Sequence, residues 1–140
     1  MSFLLDTTVV SEWVKPAPDP GVVQWLSVTD EDGIYLSVIT LAEVRYGIER
    51  LDVGRRRARL EDWLQDELSE RFSRRIIAVD ERVADAWGRV VARCRAAGRP
   101  IGVMDAFIAA TAETAGLILV TRNESDFATA GIRLHNPWAG

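Results

Sequence analysis

Ser2-Phe3-Leu4-Leu5-Asp6-Thr7-Thr8-Val9-Val10-Ser11-Glu12 is a short apolar run that stops on an acid and continues into polar residues and a helical pattern. Ile34 to Ser37, Ile76 to Val79 and Leu117 to Val120 repeat the arrangement. Each is followed by polar residues and then by a longer segment of helical period. Strands that alternate with helices imply a parallel sheet, and therefore an α/β fold.

The segments between these strands read as helices. Pro16 to Gly21 is a turn-rich break, and Gly21 to Val28 then carries Val22, Trp25 and Leu26 on one side. Ser37 to Leu51 has Val38, Leu41, Val44 and Ile48 at helical spacing, with Ser37 or Thr40 as the N-cap. Arg55 to Phe72 and Glu81 to Ala97 continue the pattern, and Gly98 with Pro100 ends the second of them. Gly102 to Ala115 is alanine-rich and stops at Gly116, and a last short strand is expected around Ile132 to Leu134. Trp25, Trp63 and Trp87 fall where helices face a core or a dimer surface, which makes stacking on nucleic-acid bases the lesser reading.

With 140 residues, 48% of them hydrophobic, the chain suits one sizeable core, and a single domain over 1–140 is expected. Asp6 and Glu12 interrupt what would have to be the apolar part of a signal peptide, and no run reaches the length of a membrane span. The expectation is a cytoplasmic protein with no membrane partner. One cysteine, Cys94, and one histidine, His135, are too few for a disulfide framework, a Cys/His zinc site or a Cys-His dyad. Any metal must be held by oxygen. The net charge of −4 argues weakly against general nucleic-acid affinity. Arginines nevertheless cluster at 55–59, 71–75 and 89–99 with acids between them, a pattern of solvated helix faces first and of an RNA-tracking patch second.

Four acids stand where a folded chain resists placing them: Asp6, Glu43, Asp105 and Asp126. Asp6 ends the first strand, and in an open parallel sheet ligands bind at the carboxyl ends of strands. Its structural alternative is an N-cap; Thr7 and Thr8 either cap the next helix or hold a water. Glu43 sits one turn into its helix, with Gly47 a turn further on the same face. A helix-interior glycine costs about 1 kcal/mol relative to alanine, so close approach of a ligand or backbone is a compensation; Thr40 with Glu43 also approximates a capping box. Asp105 lies near a helix N-terminus, where the dipole favours an anion, with Ala109 and Ala112 on its face. Asp126 follows the strand Leu117 to Val120 in Thr121-Arg122-Asn123-Glu124-Ser125-Asp126-Phe127, where an Asx-type loop contact is the structural alternative. If the strands carrying Asp6 and Asp126 are neighbours, Glu43 and Asp105 aim at the same point. Four carboxylates there repel one another unless a cation neutralises them. Oxygen ligands without histidine or thiolate select Mg²⁺ or Mn²⁺, and the chemistry implied is phosphodiester hydrolysis.

At these residues the chain resembles the PIN-domain nucleases, within them the VapC-like toxins of the FitB type. The likeness runs through Leu4 to Glu12, Leu36 to Glu43, Arg99 to Ala112, Leu119 to Asn123, Asp126-Phe127 and Asn136-Pro137-Trp138. It implies a three-layer α/β/α sandwich around a short parallel sheet and a Mg²⁺- or Mn²⁺-dependent cut in single-stranded RNA. It further implies a homodimer, neutralisation by a cognate VapB/FitA-like antitoxin that inserts a peptide across the acidic pocket, and operator DNA bound only through that antitoxin. Asp6, Glu43 and Asp105 match the family's acidic positions; Asp126 is taken as the fourth acid, with Asn123 as a polar second partner. In the mechanism so implied, Asp6 and Asp105 hold the metal and Glu43 and Asp126 hold its waters or a second ion. Thr121 positions a water or phosphate oxygen, or caps the loop. Two other readings stay open: an aspartyl-phosphate phosphatase with Asp6 as nucleophile, and a degenerate or receiver-like domain that binds a partner through the acidic pocket without catalysis.

Overall fold

The computed structural model describes residues 1–139. Strands β1 (Phe3–Leu5), β2 (Ile34–Ser37), β3 (Ile76–Ile77), β4 (Ile118–Val120) and β5 (Leu134–His135) form one sheet in the order β3-β2-β1-β4-β5. Every neighbouring pair is parallel. Successive side chains leave a strand on opposite faces, so Leu4 and Leu119 enter one half of the core while Leu5 and Val120 enter the other. Both faces must therefore be covered, as in parallel sheets generally. Helices α6 (Glu81–Ala96) and α7 (Val103–Ala115) cover the first face through Val83, Val90, Ala106 and Ala109. Helices α1 (Thr7–Glu12), α2 (Pro20–Val28) and α3 (Val38–Glu49) cover the second through Val9, Val10, Val22, Val44 and Ile48. The three-layer α/β/α sandwich expected from the sequence is the fold observed.

Short polar side chains start the helices where the chain leaves a strand or turn. Asp19 accepts from the Val22 amide at 3.2 Å with Pro20 in the first helical position, and Ser37 accepts from the Ile39 amide at 3.0 Å. Ser37 is thus the cap of α3. Thr40, fully buried, has no hydrogen-bond partner for its hydroxyl among the described residues, so the expected capping box with Glu43 does not form. Gly116 closes α7 in the left-handed region (φ 66°), which lets the Leu117 amide reach the Ala112 carbonyl at 2.9 Å. That bond spends the Leu117 amide on the helix, and pairing in β4 begins one residue later than the apolar run suggests.

Three other boundaries differ from the periodicity. The helix expected over 55–72 is α4 (Arg55–Asp62), a wide π-helical turn (Trp63–Leu68) and the short α5 (Ser69–Arg71). In it the Ser69 hydroxyl donates to the Leu64 carbonyl at 2.9 Å, while Leu64 and Leu68 both stay in the core. β3 stops at Ile77 rather than Val79 because β2, its only neighbour in the sheet, ends at Ser37 opposite it. The last strand lies at Leu134–His135, paired with Leu119 and Val120, one or two residues beyond the expected position.

The chain runs outward from the sheet's centre in both directions, so β1 and β4 meet at the point where the strand order reverses. A crevice opens there beyond the carboxyl ends of the strands. The chain's last described turn (Pro137–Ala139) folds back onto α2 beside this crevice, and a Cβ at Gly21 would collide with the Pro137 carbonyl oxygen. Because the obstacle is backbone and not a flexible side chain, Gly21→Ala is expected to lower stability by about 1–3 kcal/mol. Thermal denaturation checks this; an unchanged midpoint would show that the tail is not seated on α2.

Candidate functional site

The Asp6 carboxylate is 5% exposed at the junction of β1 with α1. Its burial is tolerated because every oxygen finds donors: the Thr7 amide at 2.8 Å on Oδ1, and the hydroxyls of Thr8 at 3.0 Å and Thr121 at 2.7 Å on Oδ2. Asp6 is therefore both the cap of α1 and a floor group of the crevice. Thr121 follows β4, and the pairing of Leu5 with Val120 brings it beside Asp6. Its buried hydroxyl gives its one proton to Asp6 and accepts from the Asn123 amide at 3.0 Å. Thr121 thus caps the loop and steers a carboxylate, with no proton left for a water or phosphate. Thr7 works across the crevice as well, its hydroxyl donating to Glu43 Oε1 at 2.6 Å.

Asp6, Glu43 and Asp105 line one cavity of about 350 Å³, together with Asn123. Asp126 is exposed and lines an adjoining cleft with Asp105, Arg99 and Gly102. Asp105 stands between the two, in the first turn of α7. Burial, then the charges of Asp6, Glu43 and Asp126, push its carboxyl up to about 6 from the ordinary carboxylate range. The four acids picked out in the sequence therefore converge, with Asp105 at the centre of the repulsion, and the helix dipole does not offset it.

The spacing of residues did not reveal the cationic wall. Lys15 and Arg122 line the same cavity, as do Glu12 and Trp138. Lys15, the chain's one lysine, is ion-paired with the buried Glu12, which also accepts from the Asp19 amide at 2.8 Å. Burial pushes the Glu12 carboxyl up, but Lys15, the Asp19 amide and Arg122 together hold it below the ordinary range. Arg122 lies over the Trp138 ring at 5.7 Å. The one available sequence signal was Glu12 itself, an acid in the helical segment between Val9-Val10 and Trp13.

Among the described residues no three His, Cys, Asp or Glu side chains are close enough to hold a metal ion by themselves. A magnesium-type site needs only one or two carboxylates, the remaining positions being water and phosphate oxygen. A crevice with one carboxyl raised by burial and by three other acids, and no thiolate or imidazole among its lining residues, suits a hard divalent cation.

The family model for the PIN domain matches residues 3–132. The chain is a member of the PIN-domain family. It is 36% identical over 135 residues to the toxin FitB of Neisseria gonorrhoeae, covering 96% of this chain and 97% of that protein. It is 35% identical over 135 residues to the VapC ribonuclease Y4jK of Sinorhizobium fredii, covering 96% of each. Among solved structures, FitAB bound to an IR36 DNA fragment superposes on this PIN domain with a TM-score of 0.92 at 34% identity, over 97% of this chain and 95% of that one.

A carboxyl raised in the folded state stabilises the fold only while it is protonated. That contribution is complete below the ordinary carboxylate pKa and is lost as pH rises through about 6. In metal-free protein, Asp105→Asn should accordingly be more stable than the parent at neutral pH by about 1–2 kcal/mol, allowing for solvent screening. The advantage should shrink toward pH 4. Denaturant titrations of both proteins across this range measure it; a pH-independent difference would mean that Asp105 does not feel the other acids.

Proposed function

We propose that this PIN domain, spanning residues 1–140 as one unit, is the toxin of a type II toxin-antitoxin pair: a divalent-metal-dependent endoribonuclease held in check by a cognate antitoxin. The convergence of Asp6, Glu43 and Asp105 in one crevice, with the Asp105 carboxyl raised by burial and by its acidic neighbours, carries this reading. The ribonuclease and toxin names of its relatives point the same way.

Mg²⁺ or Mn²⁺ is the cation we assign, with Asp6 and Asp105 to hold it. Such an ion supplies charge neutralisation at the phosphate and a more acidic water. The chain's own groups do the positioning. Thr7, Thr8 and Thr121 fix the Asp6 carboxylate, and the Thr7 hydroxyl aims Glu43 into the crevice. Glu43 and Asp126 approach Asp105 from different sides, which suits them to orient water on either flank of a scissile phosphate. Asn123, in the shared cavity, is the polar partner, while Asp126 keeps the role of fourth acid on the far side of Asp105.

An aspartyl-phosphate phosphatase is the weaker reading. Asp6 is almost inaccessible and both its oxygens accept hydrogen bonds, a poor state for a nucleophile. A purely binding domain has no observation in its favour beyond the same pocket. The antitoxin is assigned by likeness to solved FitAB and VapBC complexes, several of them on DNA. Operator DNA is therefore reached through the antitoxin. A homodimer is the expected assembly, and Val103 and Met104 leave apolar surface exposed beside Asp105 for it. Among the described residues no helix is long and apolar enough to cross a membrane, and the cytoplasm is the compartment we assign.

Incubation of the purified chain with total bacterial RNA tests the reading. Discrete cuts should appear with Mg²⁺ or Mn²⁺, disappear with EDTA, and be absent for Asp6→Asn and Asp105→Asn. Cleavage that survives in Asp105→Asn would sink the site assignment. Thr121→Val should reduce cleavage about ten- to hundredfold, the usual loss when a group orienting a ligand is removed, and Thr121→Ser should restore most of it.

A further inference from the structure

Next to the acidic crevice, and larger than it, lies a groove of about 640 Å³ lined by Trp13, Lys15, Arg56, Arg59, Leu60 and Trp63. Arg56, Leu60 and Trp63 also line a narrower channel, whose other end is lined by Thr7 and Glu43 of the acidic crevice. Groove, channel and crevice are continuous along the face built by α1, α3 and α4.

The groove sets guanidinium groups without acid partners beside two indole rings. On α4, Arg57 is bound to Glu49 and Glu61, whereas Arg56 and Arg59 enter no ion pair among the described residues. Elsewhere Arg71, Arg75, Arg89 and Arg93 are paired with acids, while Arg74, Arg95 and Arg99 enter no ion pair among the described residues but do not line this groove. Trp63 is half-buried in the groove wall, with no aromatic ring or cation against it among the described residues, while Arg71 sits 4.6 Å from the Trp13 ring and helps to fix it. Two uncompensated guanidinium groups and two indoles suit a strand that alternates phosphates with flat bases. The channel floor fits a passing chain: a Cβ at Gly47 would meet no atom within 4 Å, so no protein contact requires this glycine inside α3. The open space above it lies in the path from Glu43 to Arg56.

We propose that this groove is the binding track for single-stranded RNA on one side of the cut, with Arg56 and Arg59 taking phosphates, Trp63 and Trp13 stacking bases, and the strand entering the crevice over Gly47. The groove is basic and the crevice at the channel's other end is acidic. A polyanion that brings a phosphate to a cation in the crevice suits both. The inference rests on the nuclease reading for the crevice, but its test does not.

The measurement is fluorescence anisotropy of a short labelled single-stranded RNA of randomised sequence, titrated with Asp105→Asn protein at several salt concentrations. Adding Arg56→Gln and Arg59→Gln should flatten the plot of log affinity against log salt by about 1.4, the share of two phosphate contacts on a single strand. Trp63→Ala should weaken binding roughly five- to hundredfold. Gly47→Leu, which improves helix propensity and so preserves the fold, should obstruct the channel and weaken binding of the same RNA. An unchanged salt slope together with unimpaired Gly47→Leu binding overturns the proposal. So does loss of antitoxin binding by these variants with RNA binding intact, which would make the groove the antitoxin's seat. If the parent chain cuts no RNA with either metal the nuclease reading falls separately, and the salt slope still decides the groove.

Discussion

The buried carboxylate of Asp6 is the constraint on which the rest depends. An ionised group almost out of contact with water survives only if its oxygens are satisfied. Here the donors come from both sides of the sheet's switch point: Thr7 and Thr8 after β1, and Thr121 after β4. The Thr121 bond joins residues 115 apart in sequence and ties the register of β1 with β4 to the conformation of the next loop. That loop carries Asn123 and Asp126, and the Asn123 amide completes the arrangement by donating to the Thr121 hydroxyl. Folding the central strand pair and shaping the crevice are thus one event.

The same crevice shows why its acids are a cost to the fold. Glu12, only 3% exposed, is neutralised locally by Lys15 and the Asp19 amide, so it serves structure. Asp105 has no such partner, and its raised pKa carries the cost of burial and then the repulsion of three other carboxylates. An arrangement that opposes stability while facing a cavity is the usual signature of a site built to take a charge from outside. The contrast between these two acids, in one cavity, separates a structural role from a chemical one more sharply than burial does.

The arginines divide in a similar way. Along the sequence Arg55, Arg56, Arg57 and Arg59 form one basic cluster, as do Arg71, Arg74 and Arg75. In three dimensions Arg57 bridges α3 and α4 through Glu49 and Glu61, and Arg75 holds the backbone carbonyls of Glu31 and Ile34 near the start of β2. These are structural braces. Arg56 and Arg59, one and two positions from Arg57 and Arg57's neighbour Ala58, are left to face the groove.

Much was legible in the sequence. The short apolar runs and the helical segments between them imply a parallel sheet, and Asp6, Glu43 and Asp105 stood out as acids at a strand end or in apolar helical stretches. Boundaries were less legible at Leu117, Ile77 and the Trp63–Leu68 turn, because there a distant partner or a neighbouring helix claims the backbone hydrogen bond. The sequence alone therefore determined which elements form and which residues are chemically unusual, since local periodicity and side-chain type are written one residue at a time. Only the tertiary structure decided that Thr121 serves Asp6 and not a substrate, that Asp126 flanks Asp105 from a separate cleft, and that Trp63 shares a groove with Arg56 and Arg59 beside the crevice. Those facts are distances between residues far apart in the chain, and the strand order β3-β2-β1-β4-β5 sets them.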